Sequence, residues 1–219
     1  MLVTAVVRKP RRAGRVDVYV DGEVALELPR DVARSAGLRP GRVIEPAEIA
    51  TIAAAEQRRE ALQAAIALLA RRPRSERELR RRLLQRRVLA LLIDETVDKL
   101  RGLKLIDDAA FARFWAETRD RTSPRGRRLV TQELRTQGID ADAAAAATAE
   151  LSDADAAYRL ASGRVRALSG SDYQTFRIRL GGQLQRRGFG WDVTQSTVER
   201  CWRERGESSA ADDLAQGIE

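Results

Sequence analysis

Between residues 123 and 139 apolar and polar positions recur with a helical period. Val130 and Leu134 stand one turn apart on one side, while Arg128, Gln132 and Arg135 point away. Ser123 suits an N-cap, Pro124 the first helical position and Gly138 a left-handed stop, which predicts a helix over residues 123–137. The pattern occurs twice more: Leu79 and Leu83 repeat it in residues 75–88, and Leu180 and Leu184 in residues 172–189. The matched Leu83, Leu134 and Leu184 lie 51 and 50 residues apart. Flanking positions keep the same register. Val97 and Leu100 follow Val88 at the offsets that Thr148 and Leu151 keep from Ile139, and Val198 and Cys201 from Phe189. A period of this length predicts three tandem three-helix repeats, each closing its apolar face on a neighbour in an elongated, curved array.

Ahead of the repeats the period changes to two. Val3, Ala5 and Val7, then Val16, Val18 and Val20, then Val24, Leu26 and Leu28 read as three strands. Asp21-Gly22 is a hairpin signal, and residues 9–14 form a basic loop between the first two strands. A short helix over residues 29–36 ends at Gly37. The fold class is therefore mainly α, preceded by a small N-terminal three-stranded β segment. Its expected domains are a β cap (1–45), helical repeats over 46–108, 109–152 and 153–206, and a flexible acidic tail (207–219). Residues 46–71 read as one long helix or two with a joint near residues 56–60. Ser75-Glu-Arg-Glu78 is a capping box. Arg87 stands where the other repeats have Gly138 and Gly188. Because arginine is disfavoured in a left-handed stop, a continuous or kinked helix is expected there. The stretch 143–149, nearly all alanine, buries little area per residue and predicts the thinnest packing of the body.

Composition narrows the chemistry. The 219 residues include no histidine, which removes the commonest general base and the usual zinc ligand. The single Cys201 excludes an internal disulfide and falls on a core position. No apolar run approaches the roughly 18 residues of a membrane span, and the first residues lack a signal-peptide core, so the cytoplasm is the expected compartment. Net charge is +8, and nearly all of the basicity is arginine. Nine arginines lie between residues 71 and 87, six between 119 and 135, and four between 177 and 187, the last without any acid. Basic density thus recurs on the middle helix of each repeat, as a stripe suited to a polyanion. At 5% aromatic residues, recognition by base stacking is poorly supported. Asp107-Asp108 reads as helix capping and not as a magnesium site, and Gly181-Gly182 as a close helix contact and not a phosphate loop.

Three separated motifs carry a resemblance. They are Arg74-Ser-Glu-Arg-Glu-Leu79, then Gly102-Leu-Lys-Leu-Ile-Asp-Asp108 followed by Phe111-Ala112, then Gln132-Glu-Leu-Arg-Thr-Gln-Gly-Ile139. Falling in this order within the repeat plan, they make the chain similar to the RecX family over about residues 60–205. The resemblance implies a cytoplasmic modulator of the RecA recombinase; the residues themselves point to no enzymatic chemistry, cofactor or metal, and nothing in the sequence demands more than a monomer. Such proteins bind the groove of the RecA nucleoprotein filament and suppress strand exchange and ATP hydrolysis. The candidate contacts to RecA and DNA are Arg74, Arg77, Arg81, Arg125, Arg128, Arg135, Arg179 and Arg186. The alternative is a stand-alone DNA-binding protein that uses the same arginines on phosphates. A magnesium nuclease built on Asp107 ranks behind both.

Overall fold

The computed structural model describes residues 1–10 and 14–216, and the chain divides into two compact units. The first comprises residues 1–71 and 80–102, the second residues 72–79 and 103–219.

In the first unit, β1 (Val3–Arg8), β2 (Arg15–Val20) and β3 (Glu23–Pro29) form an antiparallel sheet in that order. Asp21 and Gly22 both take positive φ, 50° and 92°, as a tight hairpin between right-twisted strands requires. Strict alternation fails at two register shifts, between Val3 and Ala5 and between Val18 and Tyr19. Beyond them Val7 and Val24 face solvent, and Val6 packs on the core instead. A bulge reverses which face the next side chain takes. Part of the basic loop, residues 11–13, lies outside the described residues. Helix α1 (Arg30–Ser35) adds Val32 and Ala33 to the core of the sheet.

Helix α2 (Pro46–Leu69) is one uninterrupted helix of 24 residues. Ile49, Ile52 and Ala53 in its first half pack on the sheet core, while Ala61, Ala65 and Leu68 in its second half are buried. The β segment therefore has its supporting element covalently built in. Where they meet, the buried Glu56 accepts from Arg59 at 2.7 Å, and Arg15 reaches Glu27 at 2.9 Å and Glu60 at 2.7 Å. Each buried or half-buried carboxylate thus has a cation. The unit continues through the second half of α3 (Glu76–Gln85) and α4 (Ala90–Gly102), whose Ile93, Val97 and Leu100 are buried.

The second unit holds α5 (Asp108–Thr122), α6 (Arg127–Thr136), α7 (Ala141–Thr148), α8 (Asp153–Val165), a 3-10 turn (Arg166–Leu168), α9 (Tyr173–Arg186) and α10 (Trp191–Gln216). One core gathers Phe111, Ala112, Ala116, Val130, Leu134, Ile139 and Ala144, and another Phe176, Leu180, Leu184, Phe189, Val198 and Cys201. Burial raises the Cys201 thiol above its ordinary pKa, as expected for a core residue. The alanine helix α7 contributes Ala144 and a buried Thr148 whose hydroxyl meets Thr131 at 2.9 Å, so a polar contact supplements its small apolar area. Helix α10 does not stop at Gly206, where the acidic tail was expected to begin, but runs to Gln216. Residues 217–219 lie outside the described residues.

Each middle helix ends in the same left-handed turn. Val88, Ile139 and Phe189 donate to the carbonyls of Leu83, Leu134 and Leu184 at 3.2, 3.1 and 3.3 Å. Arg87, Gly138 and Gly188 occupy the left-handed position, with φ of 62°, 92° and 83°. Arg87 accordingly breaks the helix, contrary to expectation: the hydrogen bonds of the turn, from Arg87 and Val88 N–H to the Leu84 and Leu83 carbonyls, offset the roughly 1–2 kcal/mol that handedness costs a residue with a Cβ.

Two of these turns receive the start of another helix. The Ser75 hydroxyl caps Glu78 N–H at 3.1 Å and donates to the Gln137 carbonyl at 2.7 Å, while Asp108 accepts from Glu76 N–H at 2.8 Å. Fifty-one residues on, Gly126 N–H donates to the Arg187 carbonyl at 2.9 Å and Asp153 accepts from Arg127 N–H at 2.6 Å. This explains why α6 begins at Arg127 and not at Ser123. Its first amide groups are satisfied by partners distant in sequence, and Ser123 ends α5 while its hydroxyl accepts from Arg187 at 2.8 Å. Close approach makes glycine obligatory at both turns: a Cβ on Gly138 would stand 2.7 Å from Arg77 Cβ, and one on Gly188 2.6 Å from Leu129 Cβ. Gly188→Ala is therefore expected to lower stability by more than about 2 kcal/mol, combining handedness strain with overlap. Arg87→Gly, where the side chain is exposed, is expected to raise it by about 1 kcal/mol. Thermal denaturation followed by circular dichroism checks both.

Candidate interface on the middle helices

The candidate arginines separate into two groups once their partners are known. Arg74 is buried, with its guanidinium on the Glu78 carboxylate, which also receives Arg72 at 2.6 Å. It is a structural cation beneath the Ser75 cap and is not presented to a partner. Arg125 is half-buried against Glu133, whose carboxylate also accepts from Arg119 at 2.8 Å and from the Trp115 indole at 3.0 Å. Desolvation, then the neighbouring cations Arg119 and Arg187, lower its pKa, and its Nε is buried without a partner among the described residues.

The second group is exposed. Arg77, Arg128, Arg135, Arg179 and Arg186 in the second unit, and Arg81 in the first, face solvent and make no ion pair among the described residues. Arg77 and Arg128 hold equivalent places on α3 and α6, 51 residues apart. The neighbouring acids are already engaged: Glu78 and Glu133 as above, and Asp94 by Arg80 at 2.5 Å. Internal carboxylates are thus consumed by one set of arginines, leaving the other set unneutralised. Exposed guanidinium groups without counter-ions are the chemistry that phosphates and carboxylates recognise.

Asp107 accepts from Ala110 N–H at 2.9 Å and caps α5, while Asp108 caps α3, so the two carboxylates serve different helices. Gly181 is buried, and a Cβ there would stand 3.6 Å from Thr194 Cγ2 of α10, a close helix contact. The sequence reading missed a groove of about 510 Å³ between α9 and the start of α10, lined by Tyr173, Arg177, Ile178, Arg186 and Trp191. A signal for it existed. Trp191 stands where the other repeats have Ala90 and Ala141, and Ile178 where they have Arg77 and Arg128. No helix among the described residues is long and apolar enough to cross a membrane.

The Glu133 cluster gives a test of which arginines are structural. Glu133→Gln leaves Arg125 half-buried without its counter-ion, and is expected to lower stability by about 1–3 kcal/mol in chemical denaturation. Arg128→Gln, on an exposed side chain, is expected to change stability by less than about 0.5 kcal/mol.

The sequence profile of the first RecX three-helix domain matches residues 61–100, and that of the second matches residues 107–147. The chain is 33% identical over 184 residues to the regulatory protein RecX of Geobacillus thermodenitrificans (strain NG80-2), covering 80% of this chain and 67% of that protein. It is 24% identical over 220 residues to the regulatory protein RecX of Bacillus pumilus (strain SAFR-032), covering 99% and 84%. Among solved structures, the crystal structure of a regulatory protein RecX shares the fold, with a TM-score of 0.62 at 24% identity over 90% of this chain and 98% of the other. The crystal structure of RecX from Lactobacillus salivarius does so with a TM-score of 0.58 at 23% identity, over 67% and 97%. Two matched domains in order, a repeat that continues them and a relative one-third identical over four-fifths of the chain lead to one assignment: this protein belongs to the RecX family of regulatory proteins.

Proposed function

We propose that this chain regulates the RecA recombinase in the cytoplasm, binding the groove of its nucleoprotein filament as a monomer and suppressing strand exchange and coupled ATP hydrolysis. The observation that carries this reading is the set of exposed, unneutralised arginines on the middle helices of a RecX-family fold. A filament groove lined by DNA phosphates and acidic side chains complements that set. Occupancy alone blocks the groove. Depolymerisation follows only if the chain binds the inactive filament form more tightly than the active one, since equal affinity shifts no equilibrium. The mechanism asks for positioning and charge, and no group on the protein is required to donate or accept a proton.

A stand-alone DNA-binding role rests on the same arginines. If about five of them meet phosphates of single-stranded DNA, the logarithm of affinity falls with the logarithm of salt at a slope near −3.5. The two readings part at salt where DNA binding by the isolated protein is gone. Continued suppression of RecA there supports the filament reading, and its disappearance supports the other.

Changing Arg77, Arg81 and Arg128 together to Glu is expected to raise the concentration needed to suppress RecA ATP hydrolysis by about tenfold or more, with the far-ultraviolet spectrum unchanged. Undiminished suppression would remove these arginines from the mechanism.

A further inference from the structure

The groove between α9 and α10 departs from the repeat in the residues it displays, not in the helices that build it. Ile178 and Trp191 replace arginine and alanine at equivalent positions and are 61% and 68% exposed. Packing of the repeat requires neither, because the other two repeats close without them. Tyr173, on α9 with Ile178 while Trp191 is on α10, is held edge-on by Trp202 with ring centroids 5.2 Å apart and an interplanar angle of 65°. Trp202 is itself fixed between Phe176 at 5.3 Å and the Arg205 guanidinium at 4.2 Å. Tyr173 is therefore a rigid aromatic, 40% exposed, on the same groove as Trp191.

Asp172 and Asp192 adjoin Tyr173 and Trp191 in sequence, but neither lines the groove. Arg177 and Arg186 line the groove, no carboxylate does, and α9 carries no acid along its length. Thr194 also lines it and has a buried hydroxyl without a hydrogen-bond partner among the described residues. A planar apolar surface beside unneutralised guanidinium groups fits a ligand that is itself a flat ring joined to an anion. A membrane surface would call for a wider apolar face, and an acidic peptide would not need the aromatic walls.

We propose that this groove is a stacking site for an unpaired nucleobase of single-stranded DNA, with Trp191 and Tyr173 as the aromatic walls and Arg177 and Arg186 on the flanking phosphates. The proposal deepens the reading above by giving the nucleic acid in the filament its own contact, yet it concerns binding by the isolated chain. It can fail while the RecA reading stands.

The test compares a short labelled oligothymidylate with an abasic oligonucleotide of equal length, so that phosphates match and only the bases differ. In fluorescence anisotropy the native chain is expected to bind oligothymidylate about tenfold more tightly than the abasic strand. Trp191→Ala is expected to abolish that preference without changing abasic binding, and Trp191→Phe to keep most of it. Equal binding of the two strands by the native chain overturns the proposal. So does a preference that survives Trp191→Ala, or an equal loss on both strands. Weaker suppression of RecA by Trp191→Ala with the base preference intact would assign the groove to a protein segment, and overturns it as well.

Discussion

A helix start seated on the left-handed turn of the next middle helix is the contact on which the second unit depends. The first amide groups of one helix and the last carbonyls of another are both without intrahelical partners. Bringing them together satisfies the two ends at once, as when Gly126 N–H meets the Arg187 carbonyl. Such a bond needs bare backbone on at least one side, which is why Gly138 and Gly188 stand where a Cβ would overlap Arg77 and Leu129. The leucine positions then follow: with the turns fixed, Leu134 and Leu184 are each carried to the centre of a core and lose all contact with water.

The same economy governs charge. A chain with 40 basic and 32 acidic residues has carboxylates enough to neutralise most of its arginines, but not all. The acids that lie close to the joints, Glu78 and Glu133, take arginines into half-buried clusters where desolvation makes a counter-ion necessary. The remainder are left on the outer faces of α3, α6 and α9. Which arginines are exposed is therefore decided by where the acids sit, and not by the arginines' own spacing.

This is also why the fold was more legible in the sequence than the interface. The matched leucines, the hairpin at Asp21-Gly22 and the caps at Asp107 and Ser75 are local signals, and each marks an element that forms. Arg74 and Arg125 looked like their exposed neighbours because their burial comes from Glu78 and Glu133, whose pairing no helical wheel displays. The start of α6 was misplaced for a similar reason. Ser123-Pro124 is a sound local cap, overridden by bonds from Arg187 and Asp153 that lie in another repeat. At Arg87 a rule about one residue was outweighed by the geometry of the turn that contains it. The aromatic groove escaped because a low overall aromatic content hides the convergence of two rings.

Arg87 has a consequence beyond its own turn. A seat-and-insert contact joins two unlike surfaces, and nothing in such an arrangement closes it into a ring, so molecules able to offer both halves can string together into fibres. Every internal seat in the second unit is a glycine, open to an incoming backbone. The first of the three middle-helix turns shows the same hydrogen bonds but carries a long cationic side chain at the glycine position. A second copy offering its helix start would meet that side chain. Of the three middle-helix turns, the one that lacks a glycine thus presents an exposed cation in place of open backbone.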